Sequence, residues 1–310
     1  MKQFISVHDV GDVDALVSEA MEIKKSSLQP EIGQGKTLGL FFMNPSLRTR
    51  MSTQKAAYNL GMDVISMNLN QDSWKIEFDH GKIMDGDSQE HIKDAVQVMS
   101  GYCDLIGVRT FASLENKEKD YNEEVLNAFI KYSEVPVISL ESATRHPLQS
   151  LADLVTIKEL GIKKPKVVVS WAPHPRSLPQ AVPNSFLEWV VHTDAEVVLT
   201  HPEGYELADE FTKGVKVSHN QEEAFEDADV IYVKSWSSYA TYGKQVGDNK
   251  DWIVNEEKMG KTNNAHFMHC LPIRRNVIAT DKVIDESMIY EQAKNREFAA
   301  QAVLKNLVKK

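Results

Sequence analysis

The chain is 310 residues long and 42% hydrophobic, enough to bury the cores of two ordinary domains. Lys and Arg number 35 against 45 Asp and Glu, a net charge of −10, which argues against nucleic acid or an anionic membrane surface as partner. Two distant cysteines, Cys103 and Cys270, make neither a disulfide framework nor a zinc set, and no apolar run approaches the ~20 residues of a membrane span. The amino terminus "MKQFISVHDVGDVDALV" carries acids where an export signal needs an unbroken apolar core, so a cytoplasmic protein is expected.

In chain order, short β-rich runs alternate with helical patterns. The first half reads "TLGLFF", a helix over roughly 48–60, "DVISMNL", "EHIKDAVQVMSGY", "DLIGVR", "YNEEVLNAFIKYS" and "VPVISLES". "HPLQSLADLVTIKELG" then reads as a bridging helix. The second half repeats the alternation with "PKVVVSWAP", "PNSFLEWVVHT", "AEVVLTHP", "ELADEFTKG", "VKVSHN", "QEEAFEDA", "DVIYVKSW" and "HFMHCLP". Near-continuous Val, Ile and Leu strands between helices predict an α/β protein with two doubly wound parallel-sheet domains joined by helices. Residues 1–145 would form the first domain, with the last helix, 288–310, packing back on it, and 146–287 the second. That last helix has lysines at its end, as the macrodipole prefers. The polar stretch "SSYATYGKQVGDNKDW" (237–252) is long for a connection and suggests a binding loop.

The turn "NPSLRTR" (44–50) follows a strand and opens a helix, where free N–H groups and the helix dipole favour an anion. Ser46 and Thr49 add hydroxyls, and Arg48 a planar fork suited to phosphate. The plainer alternative is Ser46 as an N-cap beside solvated arginines. Neither a Walker GK[ST] loop nor a G-x-G-x-x-G fingerprint follows any strand, which argues against a nucleotide and against a dehydrogenase. Other donors stand where strands end: Arg109, His146, His174, Lys234 and Cys270. Singly, His146 reads as a helix-start residue and Cys270 as a small core residue; together they outline a site.

"SLRTR", "HPLQSLAD" and "HCLP", in this order and spacing across nearly the whole chain, resemble the carbamoyltransferase family. The resemblance implies the carbamoyltransferase fold, a homotrimer with shared active sites, and no metal or cofactor. It implies that Ser46, Leu47, Arg48 and Thr49 bind the phosphate of carbamoyl phosphate and that Arg109, His146 and Gln149 hold its carbamoyl group. Cys270 and Leu271 would offer backbone carbonyls, Arg296 would reach carbamoyl phosphate from the last helix, and Trp74 would enter a neighbouring subunit's site. Arg109, His146, Cys270 and Thr49 would be the catalytic set, stabilising charge that develops as an amine attacks the carbamoyl carbon. Arg50, about 200° around the helix from Arg48, is expected to make a structural ion pair instead.

The region that grips the free α-amino group in ornithine carbamoyltransferases here reads "VKSWSSYATYG", with Lys234 where an acid is expected. "WAPHPRSLPQAVPNSF", "THPEGYEL" and "FMHCLPIRRNV" resemble the branch that acts on N-acylated ornithine. In that branch Glu141, His174, Lys234, Leu271 and Arg274 would contact the acyl-ornithine. N-acetyl enzymes have a glutamate at the position aligned with Gln89 and a lysine at that of Gln301, whereas N-succinyl enzymes have a proline at the former. A glutamate there would repel a second carboxylate and neutral Gln89 would not, which favours N-succinyl-L-ornithine over N-acetyl-L-ornithine, with ornithine itself third. Outside catalysis, a two-lobed anion-binding protein would share the strand-end donors.

Overall fold

The computed structural model describes residues 1–308; Lys309 and Lys310, the expected basic end of the last helix, lie outside the described residues. The apolar runs are parallel strands, and the chain divides into two units. Met1–Ser113, Glu118–Leu148 and the chain from Arg296 form one; Leu114–Lys117 and Gln149–Asn295 form the other. The helices Pro147–Glu159 and Ile289–Val308 each have residues in both.

In the first unit β1 (Thr37–Phe42), β2 (Asp63–Asn68), β5 (Leu105–Arg109) and β6 (Val137–Glu141) form a sheet in the order β2–β1–β5–β6, every pair parallel. A separate two-stranded parallel ladder joins β3 (Ile76–Glu77) to β4 (Glu90–His91). Phe41, Ile106, Val108 and Phe129 build the core with Cys103, whose thiol burial pushes up. The order reverses at β1: the chain leaves it for β2 on one side, while β5 pairs on the other, so the crevice at its carboxyl end is open to a ligand.

In the second unit β7 (Lys166–Trp171), β8 (Glu196–Thr200), β9 (Lys216–Ser218), β10 (Val230–Lys234) and β11 (His266–Met268) pair in parallel in the order β11–β10–β7–β8–β9. The same reversal falls between β7 and β10. The helix Ala181–Val190 buries nearly its whole length, and Phe186 stacks on Tyr232 with ring centroids 4.0 Å apart. Among the described residues no helix is long and apolar enough to cross a membrane.

The helix Arg48–Asn59, which carries the anion-binding candidates, is closed by Gly61 at φ +76°. Its N–H donates to the Tyr58 carbonyl at 3.0 Å, and a Cβ here would run into the Pro30 carbonyl. Gly61→Ala is therefore expected to lower stability by roughly 1–3 kcal/mol, seen as a lower denaturant midpoint at unchanged slope. An unchanged midpoint would contradict this account of the turn.

Candidate active site

At the end of β1 the chain turns through Met43–Leu47 and enters the helix at Arg48. The N-cap residue is Leu47, it makes no side-chain cap, and the first turn contains no acid. Ser46 is therefore not the N-cap that the plainer alternative required. The first N–H groups keep their donor capacity, and the positive end of the dipole is uncompensated. Arg48 stands at the first helical position with its Nε buried and without a hydrogen-bond partner among the described residues. Thr49 is buried, and its Oγ1 receives Arg296 Nη2 at 2.6 Å, which brings the last helix to the turn within this unit.

Arg109, at the end of the neighbouring β5, holds the other side of the turn. Its Nη1 donates to the carbonyls of Asn44 and Pro45 at 3.4 and 3.2 Å. Its Nε and Nη2 donate to one oxygen of Glu141 at 2.9 and 2.7 Å. A β-bulge makes this possible: Val108 pairs with Ser139 but Arg109 with Glu141, so the extra residue re-aims the strand end. His146 Nε2 lies 3.8 Å from the same Glu141 oxygen. The structure thus groups Glu141, predicted to contact the amine substrate, with Arg109 and His146.

Arg50 departs from expectation. It donates to Asn68 Oδ1 at 2.9 Å and lies 4.8 Å from the Phe42 ring centroid, and among the described residues no carboxylate partners it. Stacking on an aromatic face suits a guanidinium as well as an ion pair does. Glu123 was missed by the sequence reading. It sits at φ +51° and accepts from Ser142 Oγ, Thr144 Oγ1 and the Thr144 N–H at 2.6, 2.6 and 2.8 Å, fixing the loop that leads to His146. No local pattern signals a role that depends on a left-handed residue meeting a loop about twenty positions later.

Trp74 is exposed, donates Nε1 to Glu90 Oε2 at 2.8 Å, and rims an apolar cavity of about 320 Å³ with Ile65, Met67, Val98 and Tyr102. Gln89 is exposed in the loop between β3 and β4, with its N–H on the Lys75 carbonyl at 3.0 Å. The start of that loop is fixed by Glu77, whose carboxyl Lys82 and the Asp79 and Phe78 N–H groups hold down to about 2. Gln301 is fully buried, accepts from Asn59 Nδ2 at 3.0 Å and donates to the Ser27 carbonyl.

The second unit gathers a different set. Lys234 ends β10 opposite Trp171 at the end of β7, and three residues beyond Trp171 stands His174. Arg274 Nε donates to His174 Nε2 at 3.1 Å. A guanidinium can only donate, so the ring proton sits on Nδ1, 2.9 Å from the Arg176 carbonyl. Burial pushes this imidazole below its ordinary range, and the charges of Arg274, Lys234 and Arg176 push the same way. Lys234 is only 9% exposed, yet among the described residues its ammonium has no ion pair or hydrogen bond. A neutral histidine ringed by Lys234, Arg274 and Arg176 suits a carboxylate.

The stretch 237–252 is pinned within this unit. Gln245 Nε2 donates to the His174 carbonyl, Val246 N–H to the Tyr205 hydroxyl at 2.8 Å, and Lys117 lies 4.3 Å from the Tyr239 ring centroid. Gln149, Cys270 and Leu271 also belong here. Leu271 adopts φ +55° and donates its N–H to His269 Nδ1 at 3.0 Å. Among the described residues no cluster of His, Cys, Asp and Glu could hold a metal ion.

The turn can hold a phosphate-like dianion, and the division of labour within it is testable. Arg48→Ala is expected to weaken binding of inorganic phosphate by at least about tenfold. Arg50→Ala should leave that affinity within about threefold and lower Tm by a few degrees, as for a lost surface interaction. Titration calorimetry and thermal melting measure the two effects; equal losses of affinity would contradict the assignment.

Residues 2–159 match the family model "Aspartate/ornithine carbamoyltransferase, carbamoyl-P binding domain", and residues 179–307 match its "Asp/Orn binding domain". The chain is 54% identical over 314 residues to an N-succinylornithine carbamoyltransferase of Bacteroides fragilis, covering 99% of each. It is 37% identical over 334 residues to an N-acetylornithine carbamoyltransferase of Xanthomonas campestris, covering 99% of this chain and 98% of the relative. Among solved structures, an acetylornithine transcarbamylase complexed with acetylcitrulline superposes with a TM-score of 0.94 at 36% identity, covering 99% of both chains. A glutamate-to-alanine mutant of N-acetyl-L-ornithine transcarbamylase, complexed with carbamyl phosphate and N-succinyl-L-norvaline, gives 0.93 at 36% identity, covering 99% of this chain and 100% of that one. With both family models matched over most of its length, the chain belongs to the aspartate/ornithine carbamoyltransferase family.

Proposed function

We propose that the protein transfers the carbamoyl group of carbamoyl phosphate to the side-chain amine of N-succinyl-L-ornithine, giving N-succinyl-L-citrulline and phosphate in arginine biosynthesis, as a cytoplasmic homotrimer. The amine nitrogen attacks the carbamoyl carbon, the bond to the phosphate oxygen breaks, and the proton lost from the amine is balanced on the departing phosphate. Ser46, Leu47, Arg48 and Thr49 hold the phosphate at the helix start. Thr49, Arg109 and His146 stabilise the charge that develops on the carbonyl oxygen and the leaving group. Arg296, already bonded to Thr49, completes the cationic side of the phosphate. Glu141 fixes Arg109 through two N–H donors, so that the guanidinium is oriented before substrate arrives.

The observation that carries the choice of amine is Lys234. Its ammonium, buried and unpaired among the described residues, repels a free α-ammonium and attracts a carboxylate, so the α-nitrogen of the substrate is acylated and uncharged. His174 and Arg274 stand beside it as partners for the same carboxylate. The succinyl assignment is supported by the 54% identity to N-succinylornithine enzymes and by Gln89, which brings no negative charge to meet a second carboxylate. In three solved neighbours a glutamate is replaced by alanine, proline or valine, and N-succinyl-L-norvaline is bound. N-acetyl-L-ornithine is the second reading, because the neighbour that binds acetylcitrulline shares the fold at 36% identity. Exposed Trp74, Ile65, Val98 and Tyr102 offer an apolar surface for another copy of the chain.

Supplied with carbamoyl phosphate, the protein is expected to carbamoylate N-succinyl-L-ornithine at least about tenfold more efficiently than N-acetyl-L-ornithine, and ornithine least, by a colorimetric citrulline assay. Faster turnover of the acetyl substrate would overturn the succinyl choice, and absence of product with all three would overturn the reaction. Lys234→Met should raise KM for the acyl-ornithine by roughly 10- to 100-fold and leave KM for carbamoyl phosphate within about threefold. A parallel rise in both would contradict the role given to Lys234.

A further inference from the structure

We infer that Asp153 is a positioning residue: its buried carboxylate sets which end of the Gln149 amide faces the carbamoyl group. The inference rests on the reaction proposed above. Asp153 is fully buried in the helix Pro147–Glu159, and its Oδ1 receives Gln149 Nε2 and Gln292 Nε2, each at 2.7 Å. Its Oδ2 receives the Tyr232 hydroxyl at 2.9 Å. Gln149 lies one helical turn before Asp153, on the same face.

An ionised carboxylate only accepts. The Gln149 amide must therefore turn its NH₂ end to Asp153 and give it one of its two N–H groups, which aims the carbonyl oxygen away from Asp153 as the group to present. That oxygen can accept from the carbamoyl NH₂ and cannot serve the carbamoyl oxygen, which needs a donor. Asp153 thus fixes the polarity of recognition as well as the position of a side chain.

The same carboxylate reaches the "HCLP" turn. The Gln292 carbonyl oxygen accepts from the His269 N–H at 2.9 Å, and His269 Nδ1 accepts from the Leu271 N–H. The Tyr232 hydroxyl also lies against the Cys270 thiol. Gln149, Cys270 and Leu271 are therefore tied to one buried oxygen pair. The other titratable groups on the network are Tyr232, Cys270 and His269, and His146 immediately precedes the same helix. Burial and the charge of Asp153 push the Tyr232 hydroxyl well above its ordinary range, so it stays protonated throughout the test below.

The test replaces Gln149 by a group that matches this geometry only when protonated. In Gln149→Glu, an ionised carboxylate opposes Asp153, whereas the protonated acid donates to Asp153 and still offers its second oxygen to the substrate. The ratio of variant to native kcat/KM is measured from pH 5.5 to 8.5. The expected ratio is roughly a hundredfold below native at pH 8.5 and within about tenfold near pH 6, because a carboxylate beside a carboxylate titrates high. Adding Asp153→Asn removes the opposing charge and should lower the midpoint of the recovery by about one pH unit or more. A ratio that is flat with pH overturns the inference, and so does an unmoved midpoint in the folded double variant. If the double variant does not fold, the pH course of Gln149→Glu alone decides. Failure of the native protein to transfer carbamoyl to any ornithine tested instead overturns the reaction on which the inference rests.

Discussion

A parallel sheet whose strand order reverses leaves a gap at the carboxyl ends of its two central strands, because the chain leaves them toward opposite sides. Both sheets of this protein have that reversal, between β1 and β5 in one unit and between β7 and β10 in the other. Several of the candidate cationic and hydrogen-bonding residues stand at or just after these strand ends. The turn 43–47 follows β1, Arg109 ends β5, His174 follows β7 and Lys234 ends β10. The central strands β1, β5, β7 and β10 are largely buried and mostly apolar up to their carboxyl ends, so they fix the positions of the polar residues there.

The chain as a whole is acidic, so its affinity for anions must be local. In the first unit the positive groups are concentrated by omission as much as by addition. The helix start has no cap and no acid in its first turn, while Arg48, Arg109 and Arg296 supply the formal charges. Glu141 does not neutralise this field so much as aim it, since its one oxygen takes both N–H groups of Arg109. In the second unit Lys234, at low exposure, has no counter-ion among the described residues, an arrangement whose desolvation cost a bound anion would offset.

Much of this was legible in the sequence. The alternation of Val-rich runs with helical patterns gave the parallel sheets, and the motif order gave the family. What stayed hidden depends on three-dimensional register. The β-bulge that sets Glu141 beside Arg109 is a one-residue offset invisible in "VPVISLES". Glu123 organises a loop about twenty residues downstream from a left-handed backbone position. Arg50 illustrates a different limit: its periodicity separated it from Arg48, but periodicity does not say whether a carboxylate or the Phe42 ring waits on the other face. Asp153 had a signal, four residues after Gln149 in a helix, but its importance lies in Tyr232 and Gln292, which come from distant segments.

The claim on which the rest hangs is that the uncapped start of the helix Arg48–Asn59, closed by Arg109, is the phosphate site. The most direct measurement is a crystal structure of the protein with carbamoyl phosphate alone. The phosphate is expected against the backbone N–H groups of Arg48 and Thr49, with Arg48 and Arg109 as its guanidinium partners. Carbamoyl phosphate bound away from this turn, or held there without Arg109, would contradict the account.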